Sequence, residues 1–149
     1  MPKIDTEAAR AAFDHALAHH EQSFGQFFLA KLLGFVITFP DDACRVEFDV
    51  RDFMYNPQGS LHGGIAALAM DVSMGHLLNH LKGPGATLEM KVQYMRAVRG
   101  GRVAATGRVL RRGKEIAFLE SRLTDSEGQL AAMATSTWRT TPAGTSRAT

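Results

Sequence analysis

The stretch Ile65-Ala66-Ala67-Leu68-Ala69-Met70-Asp71-Val72-Ser73-Met74-Gly75 decides how this chain reads. It is the middle of a segment that runs from about His62 to Leu81 and stops at Gly83-Pro84-Gly85, which predicts one long helix. A helix that is apolar on most faces has to be buried on most faces. Asp71 is the one ionisable side chain amid these apolar and small residues. A lone carboxylate buried without a partner is costly enough that it protonates instead. Asp71 therefore lies on a wet stripe with Ser73, or pairs with an arginine, or does chemistry. The helix alone leaves all three open.

Strands flank this helix on both sides. Downstream, Leu88, Met90, Val92 and Tyr94 alternate with Thr87, Glu89, Lys91 and Gln93, the cleanest strand pattern in the chain. Three more strand-like segments follow, Arg102 to Arg112, Glu115 to Asp125 and Gln129 to Thr140, entered through Gly100-Gly101, Gly113-Lys114 and Glu127-Gly128. Upstream, Cys44, Val46, Phe48 and Val50 alternate with Arg45, Glu47, Asp49 and Arg51, and Tyr55 to Ser60 has loop chemistry. Leu32 to Phe39, closed by Pro40 and Asp41-Asp42, reads as a further strand, preceded by the aromatic segment Ser23 to Ala30. Asp5 or Thr6 can cap a first helix bearing Ala9, Ala12, Phe13, Ala16 and Leu17. The expected class is α+β, an antiparallel sheet curled around one long central helix, with an N-terminal helix. One curved sheet covers such a helix only in part, so a partner subunit is the natural cover.

The chain has 149 residues, enough for one domain with a real core. Residues 1–22 read as an N-terminal helical segment, 23–140 as the main domain and 141–149 as a disordered tail. Seventeen basic against fifteen acidic residues is too small an excess to point to nucleic acid. Cys44 is the only cysteine, which rules out an internal disulfide and favours a reducing compartment. The N-terminus shows no basic flank leading into an apolar core, and Ile65 to Met70 is too short to span a bilayer. The expectation is a cytoplasmic protein with no membrane and no nucleic-acid partner.

The loop before the helix adds chemistry. Ser60-Leu61-His62-Gly63-Gly64 opens it with two glycines, where the first-turn N–H groups are unpaired. Glycine lets a ligand approach that backbone, and the helix dipole favours negative charge there. A carbonyl becoming an oxyanion needs such a place. Taken alone, a Gly-Gly junction is more often only a flexible hinge. Asn56 offers an amide donor just upstream, or is a turn residue before Pro57.

The string Asn56-Pro57-Gln58-Gly59-Ser60-Leu61-His62-Gly63-Gly64, followed by Asp71, closely resembles the phenylacetate-type (PaaI-like) hotdog-fold acyl-CoA thioesterases. Gly83 to Met90 and on through Tyr94-Met95 resembles the same family's next strand, and the likeness covers roughly residues 20 to 140. The resemblance implies that Asp71 is the nucleophile or the general base, that Gly63 N–H forms the oxyanion hole, and that Asn56 helps bind the carbonyl or water. It also implies that Thr87 orients the water, and together with the helix-start position it favours an orienting or capping role for His62 over that of a base. A neutral imidazole there can also touch the thioester, so His62 and Gly64 are expected as binding residues. No metal and no redox cofactor is implied.

Gly63 and Asp71 are eight residues apart on one helix, hence ~12 Å along its axis. One thioester carbonyl and its attacking water cannot bridge that gap. The acid and the oxyanion donor of one site should come from two chains of a homo-oligomer; the helix spacing leaves dimer and tetramer open, and the resemblance implies a dimer of dimers, a homotetramer. CoA carries phosphates, and Arg111, Arg112 and Lys114 are the group expected to meet them, although cations at hairpin ends often only face water. His15/His19 and His76/His80 have i, i+4 spacing but no supporting ligands, so solvated helix faces explain them better than a metal. No Ser-centred nucleophile elbow is present.

The reading is an acyl-CoA thioesterase that releases free acid and CoA from an aryl- or medium-chain acyl-CoA. A dehydratase of the same fold would want a paired histidine for proton transfer. A non-catalytic acyl-CoA-binding protein and an acyl-carrier-protein thioesterase remain the alternatives.

Overall fold

The computed structural model describes residues 3–140. The tail expected to be disordered, 141–149, lies outside the described residues. Helix α1 (Thr6–His19) is capped by Asp5, whose carboxylate accepts from Ala8 N–H. Helix α2 (Phe28–Leu33) packs on α1, with Phe13 edge-on to Phe28 at 5.5 Å. Strands β1 (Val36–Thr38) and β2 (Ala43–Asp49) lead through a single 3-10 turn (Asp52–Met54) to helix α3 (Gly63–Leu81). Strands β3 (Gly85–Tyr94), β4 (Arg102–Arg112), β5 (Ile116–Thr124) and β6 (Leu130–Thr140) complete the chain.

One expectation is corrected here. Leu32 to Phe39 is not a continuous strand: Leu32 and Leu33 close α2, Gly34 turns the chain at φ 69°, and only Val36–Thr38 pairs with β2. The apolar run was too short for its period to separate a helix end from a strand.

The six strands form one antiparallel sheet in the order β1-β2-β4-β5-β6-β3, and α3 packs against β2 through β6. The core lies between them, with Phe48, Met70, Met74, Leu78 and Leu119 among its fully buried side chains. Gly107 shows how close the layers come. A Cβ there would stand 2.6 Å from the Ser73 carbonyl oxygen, so β4 can cross α3 only with glycine at that point. Ser73 faces the sheet, where its hydroxyl donates to the Met70 carbonyl and pairs with Ser121 Oγ at 2.7 Å. Ser73 is fully buried, so no wet stripe joins it to Asp71.

β3 is a sheet edge, and its register carries the detail that matters most for the site. A bulge falls between Thr87 and Glu89. Glu89 pairs with Thr137, and their side chains share a 2.9 Å hydrogen bond on the outer face. Thr87 instead sits opposite the buried Trp138, on the inner face. Unbroken alternation would have aimed Thr87 outward with Glu89, Lys91 and Gln93. The extra residue, Leu88, re-aims it toward α3.

Candidate active site

Asp71 lies two turns into α3, half-buried, on the stripe Gly64, Ala67, Leu68, Asp71 that the chain's own sheet leaves partly open. Thr87 Oγ1 donates to its Oδ1 at 2.8 Å. No arginine or lysine pairs with Asp71 among the described residues. Burial pushes its carboxyl above the ordinary carboxylate range, and the Thr87 hydrogen bond opposes that rise. The result is a carboxylate with one oxygen held and the other free. It borders a hollow of about 250 Å³ lined also by Phe24, Gly75, His76, Thr87 and Trp138.

The start of α3 forms a second, separate place. His62 is the N-cap, and its Nδ1 accepts from Gly64 N–H at 2.9 Å. That bond requires an unprotonated Nδ1 and leaves the ring proton on Nε2. Gly64 N–H is thereby consumed, while Gly63 N–H has no partner among the described residues. Tyr94, which sequence reasoning assigned only to a strand, covers this turn. Its hydroxyl donates to the Gly63 carbonyl at 2.7 Å, and a Cβ on Gly63 would stand 3.1 Å from its ring. Gly63 and Tyr94 line a cleft of about 340 Å³ together with Asn56, Met95, Arg96 and Val98.

Asn56 is taken up by its own loop. Its Oδ1 accepts from Gln58 N–H (2.9 Å) and Ser60 N–H (3.2 Å), and its Nδ2 donates to Ser60 Oγ at 3.0 Å. This is the turn role weighed for it, although one N–H of the amide is left over beside the Gly63 cleft.

The structure thus brings Asp71 to Thr87, and His62 to Gly63 and Gly64. It does not bring these two groups together within one chain: the Asp71 hollow and the Gly63 cleft share no lining residue. Arg111, Arg112 and Lys114 are exposed at the β4–β5 hairpin and line neither place. Arg96, beside the Gly63 cleft, is the nearer cation to that turn.

The histidine reading needs one correction. His76 is not on a solvated face: it is 8% exposed, and its Nε2 accepts from Gly25 N–H at 2.8 Å. Burial pushes its pKa down, opposed by a backbone hydrogen bond with Val72. No cluster of three or more metal-binding side chains occurs among the described residues. Burial raises the Cys44 thiol to about 12, so it is protonated at neutral pH and no nucleophile. No helix among the described residues is long and apolar enough to cross a membrane.

Known proteins share this architecture. The family model described as Thioesterase superfamily matches residues 58–132, a span that contains His62, Gly63, Asp71, Thr87 and Tyr94. Acyl-coenzyme A thioesterase 13 of Homo sapiens is 33% identical over 82 residues, 53% of this chain and 59% of that protein. Medium/long-chain acyl-CoA thioesterase YigI of Escherichia coli is 33% identical over 98 residues, 54% of this chain and 63% of that protein. The chain spans less than two thirds of the length of either relative. A crystal structure of a Bacillus halodurans protein with CoA superposes with a TM-score of 0.81 at 22% identity, covering 93% of this chain and 95% of that one. The sheet wrapped on a central helix is the hotdog fold, thioester hydrolysis is the reaction class these likenesses support, and the chain belongs to the thioesterase superfamily.

Proposed function

We propose that this protein is an acyl-CoA thioesterase of the phenylacetate (PaaI-like) type, cleaving an aryl- or medium-chain acyl-CoA to free acid and CoA. The observation that carries the reading is Asp71 itself: a half-buried carboxylate with no cation partner among the described residues, one oxygen fixed by Thr87, facing an open hollow. A carboxyl group held above its ordinary range is a stronger base, and stability argues against keeping one there without use.

Asp71 acts as the general base. Its free oxygen takes a proton from a water that Thr87 helps to orient, and the water oxygen bonds to the thioester carbonyl carbon. The carbonyl electron pair moves onto oxygen, and the unpaired Gly63 N–H at the positive end of α3 stabilises that oxyanion. When the carbonyl re-forms, the C–S bond breaks. The proton held by Asp71 passes to the departing CoA sulfur, and the carboxylate is restored. Asn56 and His62 help to bind the carbonyl or water, His62 through its Nε2–H, and Gly64 fixes the His62 ring.

Asp71 and Gly63 of one chain are ~12 Å apart along the helix, so Asp71 of one subunit serves Gly63 of another, giving two sites per dimer. The partly open stripe of α3 and the exposed Leu88, Tyr94 and Met95 at the β3 edge are the surface such a partner covers. Arg111, Arg112 and Lys114 then reach the CoA phosphates of a site shared between chains. The assembly is a dimer or dimer of dimers in the cytoplasm, working without metal or redox cofactor. The test is thiol release from an acyl-CoA panel by wild type and Asp71→Asn. Turnover by wild type, with a loss of two or more orders of magnitude in the variant, is expected. No turnover of any member, or a variant equal to wild type, would sink the reading.

A further inference from the structure

Phe24 has no part in the chemistry above, yet it is a large apolar side chain left 48% exposed. Its ring stands edge-on to His76, with centroids 5.0 Å apart and planes at 70°. Beside a shallow hollow of about 280 Å³ toward Gln22 and Ser23, two further hollows meet at this pair. The smaller, about 250 Å³, contains Asp71 and Thr87. The larger, about 480 Å³, is lined by Phe35, Ile37, Phe39 and Asn79. Phe24 and His76 line both, so together they form the wall between them.

His76 is placed to hold that wall. Its Nε2 accepts from Gly25 N–H, next in sequence to Phe24, and it is further tied to the Val72 backbone. The Phe27 ring flanks it at 5.9 Å. With its ring so engaged inside the fold, His76 fixes the loop that carries Phe24.

We propose that Phe24, positioned by His76, is the specificity-determining back wall of the acyl site and selects short or single-ring acyl groups over long chains. The inference rests on the thioesterase reading with Asp71 at the reacting carbonyl. The acyl group is bonded to that carbonyl, so it starts beside Asp71 and enters the hollow walled by Phe24, Trp138 and Gly75. A long chain that stays within this subunit's hollows passes Phe24 into the larger one.

The test compares kcat/KM for phenylacetyl-, hexanoyl- and dodecanoyl-CoA in wild type, Phe24→Ala and Phe13→Ala. Phe13 is equally exposed but packs on Phe28 and lines neither hollow, so it controls for loss of an aromatic ring from the N-terminal segment. Phe24→Ala joins the two hollows and raises the dodecanoyl-to-hexanoyl ratio by about tenfold or more, the scale on which pocket walls discriminate methylenes. Phe13→Ala leaves the ratio unchanged. A ratio unmoved by Phe24→Ala, or moved equally by Phe13→Ala, overturns the proposal while the thioesterase reading stands. If wild type hydrolyses no member, that reading fails first. The wall is then read without turnover, as the ratio of dissociation constants for S-hexyl- and S-dodecyl-CoA thioethers, and a ratio that Phe24→Ala leaves unchanged overturns it. Should Phe24→Ala fold poorly, Phe24→Leu gives the same reading with a smaller shift.

Discussion

Replacing Thr87 by valine removes one oxygen and keeps the branched shape. Thr87 supplies the one hydrogen bond to the Asp71 side chain among the described residues, at 2.8 Å. A hydrogen bond to a charged group is worth about 1.5–3 kcal/mol, and 1.36 kcal/mol is a factor of ten in rate. Loss of the bond should therefore lower kcat/KM by about ten- to a hundredfold. The pH profile gives an independent sign. Burial raises the Asp71 pKa and the Thr87 bond lowers it, so without the bond the pKa rises further. The base is then protonated over a wider range, and the acid limb of kcat/KM moves to higher pH. Thr87→Ser keeps the hydroxyl and should keep both the rate and the limb. The assay is thiol release from the best panel substrate, followed from acid to neutral pH for the three proteins. A valine variant with wild-type rate and an unshifted acid limb would refute the role given to Thr87 and to the bulge that aims it.

Asp71→Asn should make the protein more stable at neutral pH. The folded-state pKa of Asp71 lies above its unfolded value, so stability present below the unfolded pKa is lost as pH rises through the folded pKa, and asparagine escapes that loss. Thermal melts should show a higher Tm for the variant at neutral pH and a gain that fades on acidification; a neutral-pH Tm at or below wild type would contradict this. Gly107→Ala places a methyl group 2.6 Å from the Ser73 carbonyl and should cost about 1–3 kcal/mol by overpacking. A urea midpoint unchanged from wild type would show that β4 does not press on α3 as described.

Local pattern made much of this legible. The helix from His62 to Leu81 has His62 as its cap, the three final strands are joined at the expected turns, and Asp71 stands out because no apolar helix otherwise tolerates it. Thr87 enters the sequence reading through the resemblance alone. The bulge that aims it depends on pairing with β6, some fifty residues away, and leaves no mark in the local sequence. Tyr94 and His76 were missed or misread for a related reason. Each owes its place to a contact distant in sequence: Tyr94 with Gly63, and Phe24 and Gly25 with His76. The edge position of β3 could not be read either, because strand order is a property of the whole sheet.

The central claim is that one site joins Asp71 of one chain to Gly63 of another, and subunit mixing tests it most directly. Gly63→Val crowds the Tyr94 ring and shields the oxyanion donor, while Asp71→Asn removes the base. Each variant alone should be inactive. Unfolded together in equal amounts and refolded, half of the dimers carry one chain of each kind and one intact site, so about a quarter of wild-type activity should return. A mixture no more active than its parents would contradict the account.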